Sequence, residues 1–227
     1  MNRPDGIDRL DTCFEQQAAR TPDAIALIDD EGETTYAALD EAANRIASLI
    51  RSSGIPGGAF VGVHMERSRR YVASVLGAFK ASVAAVPLPP SYPGERLRDI
   101  LSFANLDAVL VDHDSSLPAR LLDIRNAHDA SSPHIAPDER DPDAPAYVLS
   151  SSGSTGKPKL IVRSHRSFFH RLRWTWDTHP YEAGEVCCQK AHMTTTHAVY
   201  ELFEPLLRGV PVVIVSHSVR GKRDEVL

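Results

Sequence analysis

The sequence predicts an α/β fold in which one or more parallel β-sheets are layered with flanking helices. Short apolar runs with the character of buried strands alternate along the chain with amphipathic stretches of helical spacing. Successive strand, helix and strand units favour a parallel sheet covered by helices on its faces. A chain of 227 residues is also long enough to bury a sizeable core, as one large domain or two small ones.

The first elements are a helix and a strand. A helix is predicted over Leu10–Ala19, because Phe14 and Ala18 continue the four-residue apolar spacing that begins the run. The Thr-Pro pair that ends at Pro22 stops this helix. A strand is then predicted over Ala24–Ile28.

A turn over Asp29–Gly32 leads through Thr34–Tyr36 into the longest predicted helix, Leu39–Ser53. Apolar side chains recur along that helix at helical intervals, and Gly54 ends it. The short apolar run Phe60–Val63 predicts the next strand.

The middle of the chain continues this alternation. Helices are predicted over Tyr71–Ala85, which runs into a Pro-rich stretch, and over Arg96–Ala104. A strand is predicted over Ala108–Val111. From 112 to 144 the sequence is polar and contains prolines, which indicates a surface loop. A domain boundary is the alternative for this stretch.

Three further strands are predicted at Val148–Leu149, Ile161–Val162 and Val212–Val215. Between them, a helix is predicted from Ser164 through Trp176, and a second helix from Ala198 onward. The second helix is amphipathic and is ended by Gly209. Its apolar side is formed by Val199, Leu202, Phe203, Leu206 and Leu207.

Composition excludes several classes of protein. A formal net charge of -5 and scattered basic residues argue against a nucleic-acid-binding surface. Three cysteines, two of them adjacent, fit neither a disulfide framework nor a familiar zinc site. No apolar signal core and no apolar run of membrane-spanning length are present in the sequence. The sequence therefore predicts a soluble protein of the reducing cytoplasm.

The most informative stretch follows the strand that ends at Leu149. Glycines at 153 and 156 permit positive φ and leave backbone amides accessible. Hydroxyl donors and cations surround these glycines, at Ser151, Ser152, Ser154, Thr155, Lys157 and Lys159. Amides, hydroxyls and cations at a strand end suit a multiply charged anion such as a phosphate chain.

Two alternatives for this stretch fit the residues less well. A flexible Gly/Ser linker does not usually lie between two apolar runs or end in Lys-Pro-Lys. The P-loop of nucleotide triphosphatases requires four residues between its glycines and a Ser or Thr after the lysine. Here Gly153 and Gly156 are separated by two residues, and Pro158 follows Lys157, so the P-loop pattern does not match.

The run from Ser152 to Lys159 resembles the phosphate-binding loop of the adenylate-forming superfamily, specifically of the adenylation domains of non-ribosomal peptide synthetases. That loop reads Tyr-Thr-Ser-Gly-Ser-Thr-Gly-x-Pro-Lys-Gly, and Ser152 to Lys159 match it position by position. Three flanking positions differ, since Ser150, Ser151 and Leu160 stand where the family has Tyr, Thr and Gly.

Other segments resemble the same family. Its opening motifs correspond to Phe14–Asp23, Thr35–Tyr36 and Ala43–Arg45. Its Leu-Lys-Ala-Gly-x-x-Tyr-Val-Pro-Leu-Asp-Pro motif resembles the run Phe79–Pro90, in which Ser82 replaces the glycine. The resemblance implies the N-terminal portion of the adenylate-forming enzyme fold over residues 1–227.

The resemblance implies that ATP and Mg²⁺ are used to activate a carboxylic acid as an acyl-adenylate. The residues that would hold the departing β- and γ-phosphates are Ser151, Ser152, Gly153, Ser154, Thr155, Gly156 and Lys159. Lys159 and Thr155 would act in catalysis. Such chemistry depends on positioning and charge stabilisation. No metal ligand is assigned, because the histidine pairs 165/170 and 192/197 are five residues apart and do not share a helical face.

The acid-binding side is predicted at the start of the last helix. The family pattern Phe-Asp-x-Ser-Val-Trp-Glu corresponds to Thr195–Glu201, so that Thr196 replaces the Asp that pairs with a substrate α-ammonium. A hydroxyl carries no negative charge, so a buried ammonium would lack a counterion. The sequence therefore predicts a hydroxy, keto, aryl or fatty acid, or an amino acid with its amine elsewhere. His197 and Tyr200 would shape the pocket.

The resemblance covers about the first half of the family's usual domain, without the Tyr-x-Thr-Gly-Asp motif and the C-terminal catalytic lysine. The chain is therefore expected to be truncated and catalytically silent alone, as a fragment, one half of a split enzyme or a binding remnant. Its expected partners are the acid, the missing C-terminal half and a carrier protein. The alternative classes are a scaffold protein and a phosphatase or kinase with an unfamiliar loop.

His165 lies where the family has a histidine, and a structural role is favoured for it.

Overall fold

The structure, a computed structural model, describes residues 8–127, 140–151 and 159–215. The helices in these ranges lie at Leu10–Arg20 (α1), Tyr36–Ser52 (α2), Arg69–Lys80 (α3), Gly94–Ala104 (α4), His165–Thr178 (α5) and Thr196–Leu206 (α6). The strands lie at Ile25–Asp29 (β1), Gly32–Thr35 (β2), Phe60–His64 (β3), Ala84–Pro87 (β4), Ala108–Val111 (β5), Leu121–Asp123 (β6), Pro145–Ser151 (β7), Lys159–Ser164 (β8), Cys187–Gln189 (β9) and Val212–Ile214 (β10). The predicted α/β class is confirmed.

The strands form two sheets. One sheet has six strands in the order β6-β5-β3-β4-β7-β8, and the other has four in the order β2-β1-β10-β9. Neighbouring strands are parallel except for the pairs β7–β8 and β1–β2, each of which lies at one edge of its sheet. The prediction of parallel sheets is therefore confirmed for the interior of both sheets.

The inner strands β3, β4 and β5 of the six-stranded sheet are buried on both faces, as expected of a parallel sheet. On β5, Val109 and Val111 belong to a smaller core that includes Leu97 and Ile100 of α4. Leu110, which points to the other face, belongs to the larger core that includes α1, α2 and α3. The six-stranded sheet therefore lies between α4 on one face and α1, α2 and α3 on the other.

The contact between α2 and α3 depends on a glycine. A Cβ atom added at Gly77 of α3 would lie 2.8 Å from the Cβ atom of Ile46 in α2 and 3.0 Å from the carbonyl oxygen of Ala43. These distances are too short for a side chain, so Gly77 allows the two helices to approach each other closely.

The predicted helix Tyr71–Ala85 is too long. The helix ends at Lys80, and Ser82 adopts φ +56°, a left-handed conformation that favours glycine and breaks the helix. The next residues form β4, which pairs with β3. The end of α3 and the strand β4 are both apolar and buried, so composition alone did not show where the helix ends and the strand begins.

Besides β4, three short strands were not predicted. Gly32–Thr35, where only a turn leading into the next helix was predicted, forms β2 and pairs antiparallel with β1. Within the predicted loop 112–144, Leu121–Asp123 forms β6 and pairs in parallel with β5. Cys187–Gln189 forms β9 and pairs with β10. Strands of three residues contain too few positions for a periodic signal. The alternative of a domain boundary at 112–144 is not supported, because β7 joins the sheet formed by β3 to β6.

A buried group of charged side chains connects several of these elements. The Asp11 side chain is completely buried, and its carboxylate accepts hydrogen bonds from Arg9 Nε at 3.0 Å and from Arg140 Nη1 at 2.7 Å. Arg9 also donates to the carbonyl oxygens of Phe79 at 3.0 Å and of Asp141 at 2.6 Å. Through these contacts, the start of α1 holds the end of α3 and the chain just before β7.

Lys80 extends this group to α2. Its side chain is 1% exposed, and its Nζ atom donates to Glu15 Oε1, Asp40 Oδ1 and Asn44 Oδ1, each at 2.8 Å. Arg140 contacts the same Glu15 carboxylate at 3.2 Å. The buried charges therefore have opposite charges or polar atoms as partners, as buried ions require. We call the group formed by Arg9, Asp11, Glu15, Lys80 and Arg140 the charge cluster.

His165, the first residue of α5, lies against the charge cluster. Its Nδ1 atom accepts a hydrogen bond from the Leu10 amide at 3.4 Å, and its ring packs edge-on against Phe79 at 4.9 Å. Burial lowers the pKa of His165 to about 3, so the ring is neutral at neutral pH. Burial alone would raise the pKa of Asp11, but the adjacent His165, Arg9 and Arg140 outweigh burial and lower it. Because His165 is neutral at neutral pH, the arginines balance the Asp11 charge.

Replacing Lys80 should destabilise the fold strongly. Lys80→Met removes a buried cation on which Glu15 and Asp40 converge, so we expect a loss of about 3–5 kcal/mol in the free energy of unfolding. Arg45→Met is the control, because Arg45 pairs with Glu41 on the surface of α2 and should cost about 0.5 kcal/mol or less. Urea denaturation measures both, and equal losses would contradict the importance of the cluster.

Stability should fall on acidification because of His165. The unfolded state binds a proton near pH 6.5 but the folded state only near pH 3, so acidification between these values favours unfolding. We expect this histidine to account for about 2 kcal/mol of the stability lost between pH 7.5 and pH 5. Denaturant unfolding of His165→Gln should show a smaller loss over this interval than the unmodified protein. An unchanged slope in His165→Gln would refute the expectation.

Candidate functional site

The phosphate-loop sequence connects β7 to β8. These strands pair from Pro145 opposite Ser164 to Ser151 opposite Lys159, so residues 152–158 join two adjacent strand ends. β7 is parallel to β4, and β4 to β3, so their carboxyl ends lie at one edge of the sheet. Ligands of open α/β sheets bind beyond this edge.

The residues predicted to hold phosphates are only partly described. Ser152, Gly153, Ser154, Thr155 and Gly156 lie outside the described residues. Ser151 is the last residue of β7, and Lys159 is the exposed first residue of β8. Both therefore flank the loop, but the roles assigned to these seven residues remain predictions.

The predicted acid-binding residues lie at the start of α6. Thr195 is the N-cap: its Oγ1 atom accepts from the Ala198 amide at 3.3 Å and donates to the His192 carbonyl at 2.8 Å. Thr196 follows as the first helical residue and is half-buried, whereas His197 is exposed. The helix begins two residues earlier than predicted, because the Thr195 cap precedes the apolar periodic pattern.

An open cleft of about 820 Å³ lies between α5 and α6 and extends to β8 and β9. His197 and Tyr200 line it, whereas Thr196 is not among the lining residues of this cleft. The acid-binding role of all three residues stays a prediction. Trp174 and Tyr181 contribute aromatic surface. The structure therefore brings together two of the three predicted acid-binding residues.

The charges of the cleft are segregated. Arg163 and Arg171 belong to β8 and α5, whereas Glu201 and Glu204 belong to α6. Burial raises the pKa of Glu204, with only partial compensation by Arg171 and His179. Burial likewise raises the pKa values of Cys187 and Cys188, so neither thiol is activated as a thiolate nucleophile.

The segment 190–195, which connects β9 to α6, is held by side chains from several elements. The Glu201 carboxylate accepts from the Lys190 amide at 2.9 Å and from the Ala191 amide at 2.7 Å. Arg67 donates to the Lys190 carbonyl at 2.8 Å, and Tyr92 donates to Thr194 Oγ1 at 3.0 Å. These contacts define the position of the α6 start.

A buried tyrosine pair also contacts this segment. Tyr147 of β7 donates a hydrogen bond from its hydroxyl to the Met193 carbonyl at 3.1 Å. The hydroxyls of Tyr71 and Tyr147 lie 2.5 Å apart. Sequence reasoning missed Tyr71, Tyr92, Arg67 and Tyr147, because each meets its partner across a long separation in sequence. One signal was available in the sequence: Tyr147 carries a hydroxyl within the apolar run Ala146–Leu149.

The structural role favoured for His165 agrees with the structure. His165 follows the last residue of β8, while the phosphate loop precedes the first, so the two lie at opposite ends of this strand. Its ring is buried against α1 and α3.

Neither a metal cluster nor a membrane span is found in the part of the chain that the structure describes. Across 8–127, 140–151 and 159–215, no three His, Cys, Asp or Glu side chains are grouped as a metal site would require. Over the same ranges, none of the helices has the length and apolar character to cross a bilayer.

Comparison with known proteins identifies the family. The sequence profile described as "AMP-binding enzyme" matches residues 14–227. Tyrocidine synthase 3 of Brevibacillus parabrevis is 35% identical over 215 residues, which cover 90% of this chain and 3% of that protein. A dimodular nonribosomal peptide synthase of Bacillus subtilis is 32% identical over 228 residues, which cover 91% of this chain and 9% of that protein.

Solved structures agree with this result. The N-terminal subdomain of Klebsiella oxytoca NpsA, in complex with 3-hydroxybenzoyl-AMSN, superposes with a TM-score of 0.81 at 26% identity, covering 92% of this chain and 54% of that one. The nonribosomal peptide synthetase FmoA3, in an AMPPNP-bound form, superposes with a TM-score of 0.82 at 29% identity, covering 93% of this chain and 23% of that one.

This chain thus spans only part of these relatives, a small fraction of the two synthases and about half of the NpsA subdomain chain. The loop motif, its place between β7 and β8, the family profile and the superpositions all agree. The chain belongs to the AMP-binding enzyme family, as the N-terminal region of an adenylation domain of the nonribosomal peptide synthetase type.

Proposed function

We propose that the protein containing this chain uses ATP to convert a carboxylic acid to its acyl-adenylate. One observation carries the proposal: the Ser152–Lys159 motif joins two paired strands, whose ends at Ser151 and Lys159 are adjacent, at the carboxyl edge of a parallel sheet. At this edge a loop of hydroxyls and backbone amides would face the space where α/β folds bind ligands. AMPPNP in the related FmoA3 supports ATP as the nucleotide.

The reaction would proceed by direct displacement. A carboxylate oxygen attacks the α-phosphorus, a new C–O–P linkage forms, and the bond to the bridging oxygen of the β-phosphate breaks, so that pyrophosphate leaves with the electron pair. Lys159 would balance the charge that develops on the leaving group, and Ser152, Ser154 and Thr155 would donate hydrogen bonds to it. Magnesium, when bound, would neutralise phosphate charge, and no described residue is assigned as its ligand.

We further propose that the acid lacks an ordinary α-amino group. In the resemblance of Thr195–Glu201 to the family pattern, Thr196 takes the place of the Asp that pairs with a substrate ammonium in amino-acid-activating members. In the cleft beside α6, Glu201 already accepts hydrogen bonds from two backbone amides, burial raises the pKa of Glu204, and Arg163 and Arg171 are cations. A buried ammonium would therefore meet a cost of several kcal/mol. These charges favour a hydroxy, keto, aryl or fatty acid.

We also propose that residues 1–227 need further polypeptide for catalysis. Among the described strands, β8 and β9 are outer strands of their sheets, and both border the cleft. Ile161 and Val162 on β8 are each 46% exposed, and Val186, next to β9, is 56% exposed. Exposed apolar side chains beside these two outer strands support the proposal that further polypeptide covers this surface. A carrier protein would then receive the activated acyl group.

The function is tested by acid-dependent exchange of labelled pyrophosphate into ATP, using the full-length protein that includes this chain. Hydroxy, keto, aryl and fatty acids should support exchange better than the standard L-α-amino acids. The 227-residue chain alone should be inactive. Absence of exchange with every acid would refute the adenylation proposal, and exchange by the isolated chain would refute only its incompleteness.

Replacing Thr196 should change the choice of acid. Thr196→Asp supplies the missing negative charge, so exchange with L-α-amino acids should rise at least tenfold relative to the preferred acid, which is about 1.4 kcal/mol. Thr178→Asp, the same substitution at the exposed end of α5, is the matched control and should leave the ratio unchanged. The role of Thr196 would be contradicted if the unmodified protein exchanged best with a standard L-α-amino acid and if Thr196→Asp did not improve that exchange.

Replacing Lys159 should weaken the use of ATP. Lys159→Ala removes a cation next to the phosphate loop, so we expect kcat/KM for ATP to fall about 100-fold. Because Lys159 is exposed, the unfolding midpoint should not change. Lys190→Ala is the control, since its side chain is also exposed and its backbone makes the bonds that hold segment 190–195. Unchanged ATP kinetics in Lys159→Ala would exclude this lysine from phosphate binding.

A further inference from the structure

We propose that Tyr147 is a positioning residue, which sets the start of α6 relative to the strand that leads into the phosphate loop. This inference rests on the proposed function, because it concerns the alignment of the acid with ATP. Its basis is the hydrogen bond from the Tyr147 hydroxyl to the Met193 carbonyl, at 3.1 Å.

The direction of this hydrogen-bond chain is determined by its acceptor. A carbonyl oxygen can only accept, so the Tyr147 proton points to Met193. The Tyr71 hydroxyl must then donate its own proton to the Tyr147 oxygen. Burial raises the pKa values of both tyrosines, so both hydroxyls keep these protons at physiological pH. The chain Tyr71, Tyr147, Met193 therefore has one orientation.

The two ends of the Tyr147–Met193 bond lie close in sequence to the two halves of the site. Tyr147 belongs to the same strand as Ser151, the last residue of β7, so its backbone is continuous with the phosphate loop. Met193 belongs to segment 190–195 and is followed by the cap Thr195 and by Thr196. A displacement of this segment would move Thr196 and His197 with it.

The other anchors of segment 190–195 come from elsewhere. Glu201 holds it from α6 itself, Gln189 from β9, Arg67 from the loop after β3, and Tyr92 from the loop before α4. The Tyr147 bond differs from these because its donor belongs to the strand that continues into residues 152–158. Tyr147 also contacts Phe168 edge-on at 6.4 Å, and Phe168 contacts Tyr200 in the cleft wall at 5.8 Å. These ring contacts form a second connection between β7 and the cleft beside α6.

An experiment can distinguish a positioning role of Tyr147 from a purely structural role, because Tyr36 offers a comparable buried tyrosine. Tyr36 is buried as deeply as Tyr147, and its hydroxyl donates to the Leu206 carbonyl at 2.6 Å. Leu206 is the last residue of α6, at the far end of the helix from Thr196. Tyr36→Phe and Tyr147→Phe therefore each remove one buried hydroxyl bonded to a backbone carbonyl, at opposite ends of α6.

The experiment compares these two variants in the full-length protein. Both should lower the melting temperature, and Tyr147→Phe should lower it more, because this substitution also removes the acceptor of the buried Tyr71 hydroxyl. Tyr147→Phe should raise KM for the acid at least fivefold while affinity for AMPPNP stays within twofold, and Tyr36→Phe should leave both constants within twofold. Tyr71→Phe keeps the bond to Met193, so its KM for the acid should stay near that of the unmodified protein. An unchanged acid KM in Tyr147→Phe, or an equal rise in Tyr36→Phe, would overturn the proposal.

Amide hydrogen exchange supplies a readout that does not depend on activity. Backbone amides in 191–196 should exchange at least fivefold faster in Tyr147→Phe than in Tyr36→Phe. If they exchange equally, Tyr147 does not position the segment. Lack of pyrophosphate exchange in the unmodified protein would count against adenylation, whereas the amide comparison would still decide whether Tyr147 holds the start of α6.

Discussion

The carboxylate of Asp11 is buried between two arginines, and much of the tertiary structure depends on that arrangement. Arg9 and Arg140 come from distant parts of the chain, and both donate to Asp11. A buried ion of this kind is tolerated only when its partners are present. Glu15 and Lys80 continue the cluster to α2 and α3, so that several separate pieces of chain meet at one set of charges. Removal of any one charge removes a partner from another.

The charge cluster has a direct relation to the site. Arg140 and Asp141 shortly precede β7, and Arg9 holds the Asp141 carbonyl at 2.6 Å. β7 then passes between β4 and β8 and ends at Ser151, where the phosphate loop begins. The entry of β7 is therefore defined by ionic contacts, its middle by the buried Tyr147, and its end by pairing with β8. A strand constrained along its whole length is a suitable support for a loop that we propose holds phosphates.

The start of α6, where we propose that the acid binds, is supported in a different way. The start of α6 depends on hydrogen bonds to segment 190–195 from several parts of the chain, most of them between a side chain and the backbone. Such bonds fix backbone position while leaving the side chains of Thr196 and His197 available for a ligand. Two supports, one built on ion pairs and one built on hydrogen bonds to the backbone, thus converge on the two halves of the proposed reaction.

The sequence by itself determined the fold class, most helices, the parallel strands and the loop motif, because these depend on local periodicity and on the chemistry of neighbouring residues. It also singled out His197 and Tyr200, which line the cleft beside α6 and whose role in binding the acid is a proposal. It did not separate the end of α3 from β4, since both are apolar, or detect the three-residue strands β6 and β9. Only the tertiary structure decided that Asp11 is shared by Arg9 and Arg140, and that Tyr147 reaches Met193. Those contacts join residues far apart in the chain, and no local pattern encodes which distant partner a charge or a hydroxyl will meet.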